Sequence, residues 1–210
     1  HALIDSNQVS QVIEIAAGLS PRGSRFIEQY GEDLTYIETD LPDMVADKRK
    51  LLAQRLSVCP NHRIEIMDAF ASDGPHSLSA IAAELDPEKG LVIITEGLLN
   101  YFDRAAVLSL WKRIGATLSA FQPGHYLSDI HFASDNDDLL SQAFAKALGA
   151  FVRGRVHLHF HGGAEVREAM QGMGLACEVL NPADFAGELP SCASAGAALT
   201  RILAAQAMSY

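Results

Sequence analysis

The chain has 210 residues, 49% of them apolar and 20% charged, with 16 Lys and Arg against 26 Asp and Glu for a formal net charge of −10. A chain of that length and composition is no disordered tail, and it can bury a core without help from disulfides or metals. The charge is crowded into residues 1–90, which carry 15 acidic and 8 basic groups, and neither half offers a basic field able to track a phosphate backbone, so nucleic acid is not an expected partner.

Short β-branched apolar runs alternate with longer stretches of helical period, the pattern of crossover units on a mostly parallel sheet. The first strand is expected at Gln11–Ala16, followed by a helix over Ser24–Tyr30 that Gly31 stops. A strand at Thr35–Thr39 leads to a helix at Met44–Leu56, and a strand at Arg63–Met67 to a helix at Ser77–Glu84. The apolar run Leu91–Thr95 is the fourth strand, and Asp103 is placed to cap the helix Arg104–Ala120. Beyond it lie a strand at Tyr126–His131, helices at Asp137–Val152 and Ala164–Gly172 with Gly174 as a stop, and a strand near Cys177–Leu180. Leu199–Ala204 fits a closing strand or a terminal helix equally well. No linker, repeat or low-complexity tract divides the chain, which predicts one domain over 1–210.

In an open parallel sheet the ligand sits beyond the carboxyl ends of the strands. The residues there are Ala16-Ala17-Gly18-Leu19-Ser20-Pro21-Arg22-Gly23, then Asp40-Leu41-Pro42, Asp68-Ala69-Phe70 and Glu96-Gly97. Counting Glu14, an acidic residue lies in or after each of the first four strands. Gly18 permits a tight turn and close approach of the backbone to a ligand. The dinucleotide fingerprint needs three glycines, and Ala16 and Ser20 stand at the flanking positions, so an NAD-dependent oxidoreductase is disfavoured; no Gly-Lys-Ser/Thr phosphate loop occurs either. Asp40 follows Gly18 by 22 positions, close to the interval of about 20 at which a carboxylate meets a ribose; a helix N-cap is the competing role. Asp68 can accept from an adenine amino group or make a local turn with Ser72 and Asp73.

Gln11–Phe26 (QVIEIAAGLSPRGSRF), Tyr36–Lys48 (YIETDLPDMVADK) and Ile94–Phe102 (ITEGLLNYF) resemble, in order and spacing, the leucine carboxyl methyltransferase-like family of S-adenosylmethionine-dependent O-methyltransferases, including its polyketide-type small-molecule branch. The resemblance is strong over the first half of the chain and one of pattern beyond it. It implies an α/β class I methyltransferase fold, a Rossmann-like three-layer sandwich on a mostly parallel seven-stranded sheet. It implies S-adenosylmethionine as cofactor and S-adenosylhomocysteine as product. Glu14 and Gly18 would line the methionine part, Asp40 would hold the ribose, Asp68 and Ala69 would border the adenine and Glu96 would face the amino-acid end; Arg22, near the turn, would touch a carboxylate, and Leu41 and Gly97 are further cofactor-binding candidates. Two departures stand out. Ser20 replaces a common Asp, and the helical segment that usually precedes the first strand and forms part of a lid is not in this numbering, which starts at His1; either it is missing or the pocket is more open.

Transfer from a sulfonium requires chiefly that the nucleophile be aligned, and a carboxylate acceptor needs no base. A hydroxyl acceptor does, and His131, with Asp129 two residues earlier on the same strand face, is the candidate; Tyr101 would shape the acceptor pocket and Asn100 is a weaker candidate. His157, His159 and His161 alternate as ligands on one strand face would, but with no cysteine nearby and Glu165 beyond Gly162-Gly163 no metal is expected. Lys48-Arg49-Lys50 reads as a solvated helix face, and Phe26, Phe70 and Phe102 as packing residues. Cys59, Cys177 and Cys192 have no metal-type spacing and are odd in number, which predicts reduced thiols and a cytoplasmic protein. No apolar run reaches the ~18 residues of a membrane span. The expectation is thus an O-methyltransferase acting on a carboxylate or hydroxyl of a small molecule, without membrane or nucleic-acid partners. The alternative is a non-catalytic methyltransferase-fold protein that binds a metabolite or partner.

Overall fold

The computed structural model describes residues 1–56, 59–134, 157–194, 197 and 199–208. Its strands are β1 (Gln11–Ile15), β2 (Thr35–Asp40), β3 (His62–Ile66), β4 (Leu91–Thr95), β5 (Gly124–Ile130), β6 (Leu175–Leu180) and β7 (Arg201–Ala207). They form one seven-stranded sheet in the order β3-β2-β1-β4-β5-β7-β6. Neighbours are parallel from β3 through β5, and β7 runs antiparallel to both β5 and β6. The stretch that fitted a closing strand or a terminal helix is therefore a strand, because its partners are two strand edges it can satisfy only in extended form.

The helices are α1 (Ala2–Asp5), α2 (Arg22–Tyr30), α3 (Pro42–Leu56), α4 (Leu78–Ala82), α5 (Arg104–Leu118) and α6 (Gly163–Gln171). Side chains alternate across a strand, and the central strands accordingly feed two cores. Ile13, Ile15, Ile37 and Ile93 pack on one face with Trp111 and Ile114 of α5. Val12, Tyr36 and Val92 pack on the other with Ile27 of α2. Asp103 caps α5 by accepting from Ala106 N at 2.8 Å, and Gly31 ends α2 at φ 57°. Gly174 lies in the turn after α6 rather than at its cap, which is Gly172. The helix expected at Asp137–Val152 lies outside the described residues.

Two features place the site. The strand order reverses between β1 and β4, which leaves a crevice above their carboxyl ends. The register then levels those ends: Ile15 lies beside Thr39 of β2 and Thr95 of β4. The loops after β1, β2 and β4 thus leave the sheet at one height.

Candidate functional site at the carboxyl ends of the strands

The loops at the crevice are tied together by backbone and carboxylate hydrogen bonds. Ala17 N donates to Thr39 O at 3.0 Å, and Met67 N, after β3, donates to Asp40 O at 2.9 Å. Asp40 divides its carboxylate between two loops: Oδ2 accepts from Gly18 N at 2.8 Å and Oδ1 from Leu41 N at 2.8 Å. Asp40 is not the N-cap of α3, which begins at Pro42, and each of its oxygens keeps acceptor capacity after one N–H. The turn after β1 is left-handed at Ala16 (φ 55°) and at Gly18 (φ 51°). A Cβ at Gly18 would meet open space, so glycine is required there by the backbone angle and not by crowding. Leu19 and Leu41 stand exposed on this rim.

Glu14 and Arg22 come from the end of β1 and the start of α2. The buried Glu14 carboxylate is paired with the Arg22 guanidinium and accepts from Tyr36 Oη at 2.6 Å. Burial pushes the Glu14 carboxyl above the usual carboxylate range, opposed by the Tyr36 hydrogen bond and the charge of Arg22. The other arm of Arg22 pairs with Glu96, which follows β4 and is largely exposed. One guanidinium therefore spans the crevice between two strand ends. On its far side Gly97 N donates to Asp129 Oδ1 at 2.8 Å. Asp68 Oδ1 accepts from Phe70 N at 2.8 Å, a local turn made with Phe70 and not with Ser72 and Asp73, which bond each other.

The acceptor-side candidates lie one loop further on. His131 falls just past the end of β5. Its Nδ1 contacts Leu199 O at 2.9 Å, and because a carbonyl only accepts, Nδ1 carries the hydrogen and Nε2 the lone pair. Asp129 is engaged with Gly97, not with His131. Asn100 accepts from His131 N at 3.1 Å and donates to His157 O at 2.7 Å, which sets the half-buried Tyr101 in the segment beside His131. His157 and His159 stack with ring centroids 5.7 Å apart, and His159 Nε2 bonds Phe102 O.

One reading of the sequence is corrected. Lys48 does not lie on a solvated face; it is 3% exposed and ion-paired with Glu38, whose other oxygen contacts His62 Nε2 at 2.6 Å. Arg49 and Lys50 are exposed as expected, Arg49 donating from Nε to Ile64 O at 2.9 Å. Buried Glu38 beside buried Glu14 on adjacent strands was the sequence signal for this second cluster, since a glutamate inside an apolar parallel strand demands a cation. The phenylalanines do pack: Phe70 and Phe102 rings lie 4.4 Å apart, and Phe26 lies against Tyr36 at 5.7 Å.

The sequence profile of the family described as leucine carboxyl methyltransferase matches residues 1–115, more than half of the chain. The chain belongs to the leucine carboxyl methyltransferase family. The matched region includes every rim residue from Glu14 to Gly97. A Mycobacterium leprae relative, provisionally named an S-adenosyl-L-methionine-dependent methyltransferase, is 32% identical over 107 residues, 51% of this chain and 34% of that protein. A relative of the same name from Rhodococcus jostii is 32% identical over 129 residues, 61% of this chain and 42% of that protein. The matched stretch thus spans well under half the length of these relatives.

Among solved structures, the mitomycin 7-O-methyltransferase superposes with a TM-score of 0.62 at 16% identity, covering 96% of this chain and 50% of that one. Human N-acetylserotonin methyltransferase in complex with S-adenosylmethionine gives 0.62 at 15% identity, over 98% of this chain and 48% of that one. At such identities the likeness shows the fold alone. This leucine carboxyl methyltransferase family member has the class I methyltransferase fold, with the mostly parallel seven-stranded sheet expected from its sequence.

Proposed function

We propose that this chain is the catalytic part of an S-adenosylmethionine-dependent O-methyltransferase acting on a carboxylate or hydroxyl of a small molecule. The observation that carries the reading is that Asp40, Asp68 and Glu96 follow the level carboxyl ends of β2, β3 and β4 within the family-matched region, with the buried Glu14 holding Arg22 between them. A rim of carboxylates suits a cationic nucleoside. The open space at Gly18 lets a ligand approach the backbone, and exposed Leu19 and Leu41 offer apolar cover. Family membership supports the same cofactor, and the relatives' names support methyl transfer.

In this reading Asp40 accepts the ribose hydroxyls with the lone pairs left over from Gly18 N and Leu41 N. Asp68 and Ala69 border the adenine. Glu14 stays buried and holds Arg22, while Glu96 and Gly97 face the amino-acid end, Gly97 being fixed by Asp129. When bound, the cofactor supplies an electrophilic methyl group on a sulfonium. The chain's own work is then alignment and, for a hydroxyl acceptor, proton removal. His131 serves that second task through Nε2, because its Nδ1–H is held by Leu199 O and fixes the ring and tautomer. Tyr101, set beside it through Asn100, shapes the acceptor side. Calorimetry with S-adenosylhomocysteine tests the cofactor half: saturable 1:1 binding is expected, and its absence ends the proposal. Methyl transfer from labelled S-adenosylmethionine to a panel of small carboxylic and hydroxylated acceptors tests the other half.

A further inference from the structure

A groove of about 480 Å³ runs between α4 and α5, away from the crevice described above. Its size lies in the range of small-molecule sites, roughly 300–1,000 Å³. Its lining is mostly apolar: Ala82 ends α4 and Ala83 follows it, Ala116 lies on α5 and Ala120 just beyond its end, while Ser79 and Thr117 add hydroxyls. The groove exists because the four alanine side chains end at Cβ. On α5, Arg113 and Ala116 share one face of the helix, and Ala120 lies in the turn that follows it.

Arg113 stands at one end and is the only charged side chain among the described residues that line the groove, in a chain of net charge −10. Its Nη1 donates to Ser109 Oγ at 3.0 Å, and its guanidinium lies 5.8 Å from the Phe70 ring centre. Its Nε is buried and has no acceptor. With Nη1 on Ser109 Oγ and Nε covered by protein, Nη2 is the arm left to donate, and a carboxylate oxygen accepts from it in a charge-assisted hydrogen bond.

From the apolar walls and this single cationic end, we infer that the α4–α5 groove binds a small apolar carboxylate of medium alkyl length, its carboxylate on Arg113 and its chain along the alanines. A phosphate or sugar would set most of its polar groups against apolar walls, and an alkylammonium would meet the guanidinium. The groove touches Ala71 and Ser72, just beyond the Asp68–Phe70 turn, so an occupant there reaches a loop of the cofactor crevice without entering it.

The test titrates the full chain with octanoate, octanol and octylamine by calorimetry, and repeats the octanoate titration on Arg113→Met and Ala116→Phe. Both substitutions lie on partly or fully exposed positions of α5, and thermal melts verify that each variant is folded. Expected are saturable octanoate binding, no octylamine binding, and a loss of about tenfold or more in Arg113→Met, the scale of a charge-assisted hydrogen bond. Ala116→Phe, which keeps the charge and fills the groove, is expected to abolish binding. Absence of octanoate binding to the unaltered chain overturns the inference, as does binding that survives both variants or that octylamine matches. Should Arg113→Met not fold, Ala116→Phe alone decides: retained octanoate binding refutes the site.

Discussion

Replacing Gly23 by alanine should destabilise this protein, although the same exchange in a helix ordinarily helps. Gly23 is the second residue of α2 and its backbone is helical, so the intrinsic gain is up to about 1 kcal/mol. The added Cβ, however, would lie 2.7 Å from Glu38 Cδ and 2.8 Å from His62 Nε2, with Glu38 Oε1 nearer still. Those atoms belong to the Lys48–Glu38–His62 cluster, in which all three side chains are at least nine-tenths buried. Swinging Glu38 aside would break a buried ion pair, at about 3–5 kcal/mol. Lifting α2 away is the cheaper response, an overpacking cost of about 1–3 kcal/mol. Set against the helix gain, the net loss is about 1–2 kcal/mol, which lowers the melting midpoint by roughly 2–8 °C in a chain of this size. Urea titration and calorimetric melting of Gly23→Ala measure it directly. In a His62→Ala background the obstruction is partly removed, so the penalty should shrink by about 1 kcal/mol or more in a double-mutant cycle. A Gly23→Ala protein as stable as the parent, or more stable, would refute the reasoning.

Asp40→Ala removes the acceptor of Gly18 N and Leu41 N together with the proposed ribose contact, and should weaken S-adenosylhomocysteine binding by about tenfold or more, some 1.4 kcal/mol; unchanged affinity by calorimetry removes Asp40 from the site. His131→Gln should lower kcat for hydroxyl acceptors by about a hundredfold while leaving carboxylate acceptors and cofactor affinity nearly untouched, and an equal loss on both acceptor classes would show that His131 is not the base. Burial pushes the Cys177 thiol from 9.0 up to about 11. The unfolded chain therefore loses this proton first, so the stability contributed is full below pH 9 and disappears as pH rises towards 11. The same shift of two units implies about a hundredfold less thiolate at pH 8, and alkylation of Cys177 by iodoacetamide, followed by peptide mass spectrometry, should be slower in the native chain than in urea by a comparable factor.

The sequence by itself determined the layers, the order of the first four strands and helices, and the acidic strand ends. Each of these is a local property: a run such as Leu91–Thr95 is buried on both faces wherever it pairs, and a residue that follows a parallel strand lies at its carboxyl end whatever the neighbours are. Tertiary structure decided what each charge faces. Lys48 and Lys50 are both lysines on α3, yet only Lys48 meets Glu38 two strands into the sheet, and helical period alone does not say which turn is buried. Asp129 and His131 share a strand parity but not a partner, because Gly97 N comes from the loop after β4 and Leu199 O from the approach to β7. The same holds for Arg22, whose bridge from Glu14 to Glu96 joins residues 82 positions apart in sequence. Burial and pairing depend on segments distant in the chain, and a hydrogen bond is set by the position of both its ends, of which a local pattern supplies only one.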